Sequence, residues 1–342
     1  MNLNASKLPI EYFAYILLLM TVFLWGLAWP IGRFIVSTEF GPSIPPFIII
    51  VVRYIIFVSL LFMVTYLKEG TIGYSFFKKH WKELSIMGLI SVTFYQFGYL
   101  YGETYTAASD ASLVVATSPI IVLFVATALI KEIITPIKIF GSILAFTGVL
   151  LIVGFSPNTN VPNRYLGDFL VFISAICYGI YTVLLRRLFN KYENKPSSFH
   201  VLSWLSLIGL IFSLPFAFLT GPNYFLNPSL LFSIGSSLRT LEIWLGILYL
   251  AFFSSLIAYV SYTEGVKHIG AGRSAVFVNL VPVFGIAASV FIGEKIDPIV
   301  HFLSFLLIFT GIMLVNKKTK ASITNKTVDT LLSAEIQPNQ TN

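Results

Sequence analysis

Much of this sequence is written twice, so whatever one copy folds into, the other must fold into as well. Trp81, Tyr99, Gly102, Pro119 and Thr147-Gly148 return as Trp244, Tyr262, Gly265, Pro282 and Thr310-Gly311, always 163 positions later (244 − 81, 282 − 119, 311 − 148). Glu132 and Pro136 return as Glu294 and Pro298 after 162 positions (294 − 132). An earlier stretch repeats at a step of 153: Trp25-Gly26 falls on Tyr178-Gly179 and Arg33 on Arg186 (186 − 33). Landmarks that keep their order and register over such a distance are an internal repeat, and a repeat constrains architecture before any single residue does. The change of step is absorbed in the long link at 220–241.

The repeated unit is too apolar for water. Hydrophobic residues make up 56% of the 342 and charged residues 11%, with mean hydropathy +0.85; a soluble domain carries roughly 25% charged residues. A helix crosses a bilayer core with about 20 apolar residues. Ten runs meet that requirement: 12–34, 46–67, 84–103, 111–130, 137–155, 166–185, 199–219, 243–262, 274–292 and 299–315. They are continuous rather than alternating, which argues for helices and against barrel strands. The expected fold is an all-α membrane protein of ten transmembrane helices, built as two five-helix repeats at 12–155 and 166–315. Residues 1–11 form a short leading segment, and the polar, Lys- and Thr-rich tail 316–342 is expected to be disordered. Five is odd, so the second copy enters the membrane from the opposite side and the repeat is inverted. Only Lys7 precedes the first run, and that run has a later counterpart, so it reads as a retained helix rather than a secretion signal.

Charge sets the orientation. Of 22 Lys and Arg residues, only Arg33, Arg164, Arg239 and Lys295 fall on one side and Arg53 falls inside the second run, leaving 17 (22 − 4 − 1) on the side of both termini. Positive loops stay in the cytoplasm, so both termini are expected there, most naturally in a plasma membrane. The same distribution explains the net charge of +7 without nucleic acid. One cysteine, Cys177, permits neither a disulfide framework nor a thiolate metal site, and no cofactor or metal is expected.

Two helix starts are legible. Thr135-Pro136 and Asp297-Pro298 each place a capping side chain before a proline at the first helical position. With these starts, each half shows a small-residue turn (Ala107-Ala108-Ser109 and Gly270-Ala271-Gly272), a proline within the fourth helix, a glutamate after it and a closing Thr-Gly. In this the chain resembles the EamA-type transporters of the drug/metabolite transporter superfamily, over roughly 12–315. Lys131-Glu132 departs from the Gly-Glu of that pattern, which Gly293-Glu294 keeps. The resemblance implies a central cavity surrounded by helices one to four and six to nine, with five and ten as buttresses.

The residues suggest what would line such a cavity. Pro119 and Pro282 each remove an amide and leave the carbonyl of Val115 or Val278 without its helical partner. In lipid that is tolerated where protein or cavity water supplies the missing bond. A bent helix lining a substrate path, with Thr117 and Asn279 beside it, is one reading; a packing kink is the other. Gln96, Tyr99 and Glu103 share a helix face, and Tyr259, Tyr262 and Val266 are their mates. Trp25 shares a face with Thr21, and Tyr178 with Ser174.

The expected substrate-binding set is therefore Trp25, Gln96, Tyr99, Thr117, Pro119, Tyr178, Tyr259, Tyr262, Asn279 and Pro282, with interhelical bonding and interface anchoring as the competing role. Arg53 is the one intramembrane cation. It serves an anionic substrate group, pairs with Asp110 or Glu103, or snorkels to the interface. Glu132 and Glu294 are expected to neutralise amides at helix starts, with gating or proton coupling as the competing role. The function that follows is a secondary transporter of a small polar or amphipathic, amino-acid-like metabolite, working by alternating access and exporting it. A membrane-embedded enzyme acting on a lipid or small molecule is the alternative; the chain lacks HExxH and Walker A motifs.

Overall fold

A computed structural model of the chain describes residues 10–130, 135–156, 163–192 and 196–316, and among them every regular element is helical. In the first half α1 (Ile10–Val36) leads to α2 (Pro46–Glu69). Then α3 (Tyr74–Gly88) runs through a π-helical segment, Leu89–Phe94, into α4 (Tyr95–Tyr105). A fourth crossing is made of two pieces, α5 (Ala108–Val115) and α6 (Ser118–Ile130), and α7 (Pro136–Phe155) closes the half. The second half repeats this with α8 (Arg164–Asn190), α9 (Ser198–Thr220) and a short link helix α10 (Pro222–Leu226). Next, α11 (Ser237–Tyr249) passes through a second π segment, Leu250–Ile257, into α12 (Ala258–Ile269). The broken pair α13 (Ala271–Val278) and α14 (Val281–Ser289) follows, then α15 (Pro298–Asn316).

Among the described residues nine helices are long and apolar enough to cross a membrane, and Val281–Ile292 is a shorter apolar one. With α13 it makes the tenth crossing, in the place that Ala108–Leu129 holds in the first half. The third and eighth crossings extend beyond the apolar runs, as Tyr74–Tyr105 and Ser237–Ile269. Their polar first turns continue the helix outside the apolar layer. The face that carries Ile10 and the last turn of α15 is called proximal below, and the opposite face distal. Asp297 starts α15, its Oδ1 accepting from the amides of Ile299 (2.9 Å) and Val300 (3.0 Å). Thr135 precedes Pro136 of α7 but makes no capping hydrogen bond.

Apolar side chains cover the outside of the bundle; Leu150, Phe169, Ile211 and Phe302 are all exposed. Without an apolar solvent such a surface would aggregate. Inside, glycines set the close approaches at repeat-related places. Gly102 on α4 lies against Val171 of α8, and its mate Gly265 on α12 lies against Leu18 of α1, the mate of Val171 (171 − 18 is 153); neither site has room for a Cβ. Likewise α7 and α15 meet through Gly141, Gly148 and Gly311. Small residues let backbones touch where lipid offers helices no hydrophobic drive to associate.

Neither π segment was foreseen from the sequence. They fall at corresponding points of the two halves, each immediately before the helix that carries Gln96 or its mate Tyr259. A π turn loosens the helical ladder and frees backbone carbonyls for other partners. Here the carbonyl of Ser254 accepts from the indole of Trp25 at 3.1 Å.

Candidate functional site

Where the two halves meet, the cores of α1, α2, α4, α8 and α12 enclose a small cavity of about 30 Å³. It is walled by rings: Trp25 and Trp29 from α1, Tyr95 and Tyr99 from α4, Tyr178 from α8 and Tyr259 from α12. They brace one another edge to face, with Trp25 5.8 Å from Tyr178 and 5.3 Å from Tyr259, and Trp29 4.7 Å from Tyr99. The helix breaks reach the same space through Val115, Val278 and Val281. At this size the cavity admits water and no metabolite. A larger guest would have to displace the rings.

One charge enters this wall. Arg53 of α2 is 2% exposed and lines the cavity. Its Nε donates to Ser255 Oγ and its Nη1 to Gln96 Oε1, both at 3.0 Å. The amide of Gln96 donates in turn to the hydroxyls of Tyr54 (3.0 Å) and Tyr259 (3.4 Å). Among the described residues no carboxylate pairs with Arg53. Asp110 and Glu103, the partners considered from the sequence, are engaged or placed elsewhere. The guanidinium is thus oriented by neutral hydrogen-bond partners at the cavity wall. Tyr178, also in the wall, packs its ring 5.6 Å from that of Tyr262.

Five of the ten expected residues, Trp25, Gln96, Tyr99, Tyr178 and Tyr259, are in the cavity wall. Tyr262 stands behind it, fully buried, its ring 5.1 Å from Trp25 and 5.6 Å from Tyr178. Thr117 donates to the carbonyl of Val114 at 2.7 Å within the turn that separates α5 from α6. Pro119 and Pro282 are each the second residue of a new helix, α6 and α14, rather than a bend inside one. In that first turn the missing amide costs nothing, because it would have had no helical acceptor. Asn279 sits in the second break, 1% exposed, and neither its oxygen nor its nitrogen has a partner. Sequence reasoning missed Trp29, Tyr95 and Ser254. Tyr95 lies one turn from Tyr99, and Trp29 one turn from Trp25, so helical spacing could have found both.

Distal to the cavity, the bundle is closed by buried charge. Tyr99 donates to the carbonyl of Ala28 at 2.6 Å, and one turn further Glu103 is fully buried. Arg33 spends Nη1 on the carbonyls of Glu103 (3.0 Å) and Thr106 (2.5 Å) and Nη2 on Glu39 (2.6 Å); its Nε lies 3.1 Å from Glu294. Glu294 accepts from the amides of Ala108 (2.7 Å) and Ser109 (3.0 Å), so its charge caps the start of α5 in the opposite half. Its mate Glu132 lies outside the described residues. A second cluster joins Arg164 to Asp110 at 3.3 Å and to Asp168 at 3.8 Å, with Thr106 donating to Asp168 and Ser156 to Asp110.

Proximal to the cavity the charges are more exposed. Lys191 pairs with Glu83 at 2.7 Å, Arg273 with Glu11 at 3.6 Å, and Glu264 with Lys267 (3.7 Å) and His268 (3.1 Å).

Comparison with known proteins places this geometry. The model of the EamA-like transporter family matches residues 12–154 and again 165–317. An uncharacterized transporter of Archaeoglobus fulgidus is 30% identical over 83% of this chain and 90% of its own. The uncharacterized transporter YetK of Bacillus subtilis is 24% identical over 90% of this chain and 88% of its own. A probable terminal-alkyne amino-acid exporter of Streptantibioticus cattleyicolor is 25% identical over 69% of this chain and 73% of its own. A solved crystal structure overlays with a TM-score of 0.61 at 18% identity, covering 93% of this chain and 98% of that one, and so shares the fold.

Proposed function

Because the chain belongs to the EamA-like transporter family, we propose that it is a secondary transporter that exports an apolar or aromatic amino acid, or a close carboxylate-bearing analogue, by alternating access. The observation that carries this reading is Arg53. A cation without a carboxylate partner, held by Gln96 and Ser255 at the edge of an aromatic-walled cavity, suits a guest with one carboxylate and an apolar side chain. Asn279, buried beside the cavity without partners, is a further group such a guest would satisfy. Leaving it unmet costs about 1–3 kcal/mol, which favours a state in which it is bonded. An amino-acid exporter among the relatives supports the same class.

The inverted repeat supplies the two alternative closures that alternating access needs. The contracted cavity and the sealed distal face describe a carrier closed on that side. The cationic bias of the proximal face supports cytoplasmic termini in a plasma membrane, so the distal face is the outer one. The cavity wall offers phenols, indoles, an amide and a guanidinium, with no carboxylate, imidazole or thiol among its residues, which favours passage over catalysis.

The test is counterflow of labelled L-phenylalanine into proteoliposomes, beside the amino alcohol that lacks its carboxylate. The amino acid should exchange and the amino alcohol should not. Arg53→Gln should weaken apparent affinity on the order of ten- to a hundredfold, the range for losing a charged hydrogen bond. Equal handling of both compounds by wild type and Arg53→Gln would remove Arg53 from the site.

A further inference from the structure

A second and much larger cavity, about 600 Å³, opens on the proximal face between α3, α6 and α8, a size typical of ligand clefts at roughly 300–1,000 Å³. Its walls are Ile86, Met87, Leu129, Leu184 and Leu188, and its mouth carries Glu83, Arg187, Asn190 and Lys191. Ile86 and Leu129 are exposed on the outer surface of the bundle, so the cavity is open toward the surrounding lipid.

The internal repeat shows why this space is here and not at the corresponding place on the distal face. Glu83 corresponds to Gly246 (246 − 83 is 163), while Leu184 and Leu188 correspond to Ile31 and Ile35 (184 − 31 and 188 − 35 are both 153). At the distal site α11 lies directly on α1, and a Cβ on Gly246 would stand 2.6 Å from Ile35 Cγ2. Glu83 cannot be packed that way. Its carboxylate instead reaches Lys191 at 2.7 Å and His80 at 3.0 Å. A glycine in one half closes the gap, and a glutamate in the other holds it apart.

We propose that the proximal cavity binds one anionic phospholipid, its acyl chain against Leu184, Leu188 and Met87 and its phosphate at Arg187. Lys191 is already taken by Glu83, whereas Arg187 is exposed and has no ion pair among the described residues. It lies one helical turn beyond Leu184, toward the proximal end of α8, so charge and apolar wall are stacked as a lipid head and chain are. Basic pockets between helices on the cationic face of a membrane protein favour such head groups.

The test uses the full chain in detergent with phosphatidylglycerol or phosphatidylcholine of matched chains, counted by native mass spectrometry. One phosphatidylglycerol should be retained in preference to phosphatidylcholine. Arg187→Ala should lower its occupancy about fivefold, the worth of one cation beside an anionic head group, while Arg187→Lys should keep it. Leu184→Trp should intrude on the apolar wall where the acyl chain lies and lower retention. Inorganic phosphate should not displace the lipid; displacement would mean an anion site without a chain and would overturn the proposal. Displacement by L-phenylalanine would mark the cavity as a substrate vestibule, and equal retention by Arg187→Ala and Leu184→Trp would mean no site; either result overturns it. None of these arms depends on transport, so they stand whatever the counterflow shows.

Discussion

Arg164–Asp110 at the distal face and Glu11–Arg273 at the proximal face are the same contact in the two repeats with the signs exchanged (164 − 11 is 153, 273 − 110 is 163). The distal Arg164 and Asp110 side chains are 9% and 0% exposed; the proximal Arg273 and Glu11 are 53% and 59%. A buried pair of charges is costly to assemble and much more costly to break in half, whereas an exposed pair contributes little either way. One topological contact therefore serves as a lock at one face and as a loose surface pair at the other. The difference defines the state of the carrier: sealed where α1, α5, α8 and α15 meet distally, and looser proximally. It also bears on the charge bias. Arg33, Arg164 and Arg239, three of the four cations assigned to the distal side, are all buried in bonded clusters, so the cations that face solvent lie even more heavily on the proximal side than the sequence count indicates.

The largest test of this contrast is Arg164→Ala. It leaves Asp168, and Asp110 beside buried His301, without the guanidinium and should cost about 3–5 kcal/mol, read as a large fall in Tm or loss of the folded peak in detergent. Partial rescue by Arg164→Lys, which restores a cation at this place, would confirm the electrostatic origin. A fall no greater than that of Arg273→Ala would show that the distal cluster is no lock.

Next comes Glu294→Gln, which keeps the shape but removes the charge shared by Arg33 and the start of α5 and turns one of the two accepting oxygens, at Ala108 or Ser109, into a donor. It should lose about 1–2 kcal/mol. It should also open the distal side. With Cys177 replaced and a reporter Ala28→Cys in the cavity wall, an impermeant thiol reagent applied from the distal side should react faster by on the order of tenfold, the equivalent of about 1.4 kcal/mol of seal. Unchanged reactivity would assign Glu294 to helix capping alone.

The smallest effect belongs to Arg273→Ala, expected at no more than about 1 kcal/mol. High salt should erase it, since an exposed pair is screened, and should leave the Arg164→Ala loss nearly intact. A salt-resistant loss at position 273 would mean that the proximal pair is buried in the working protein.

Much of the fold was readable because its determinants are local or periodic. Continuous apolar runs specify membrane helices, and a held register specifies two copies, so crossings and inversion could be placed without coordinates; the buttress pair α7 and α15 followed only from the resemblance to the family. Asp297 and Glu294 were readable for the same reason, as a capping side chain and as charge beside helix starts. The prolines were read at the right places but in the wrong geometry. Pro119 and Pro282 begin new helices because the preceding residues, Ala116-Thr117 and Asn279-Leu280, turn first, and helix propensity does not report a turn between two apolar segments. The π segments left no mark at all, since one extra residue in a helical turn changes no composition.

What the sequence alone determined is the membrane class, the doubled five-helix plan and the aromatic and amide character of α1, α4, α8 and α12. These follow from which residues recur and at what spacing along one chain. Helix packing is what binds Arg53 to Gln96 and Ser255 rather than to Asp110 or Glu103, and what leaves Tyr262 and Asn279 outside the cavity wall. It also decided that the glutamate and glycine at positions 83 and 246 make one gap open and its mate closed. Each of these depends on distances between residues 43 to 237 positions apart in sequence. Such separations are fixed by how helices pack, and helix packing depends on glycine contacts and buried charges acting together rather than on any stretch taken singly.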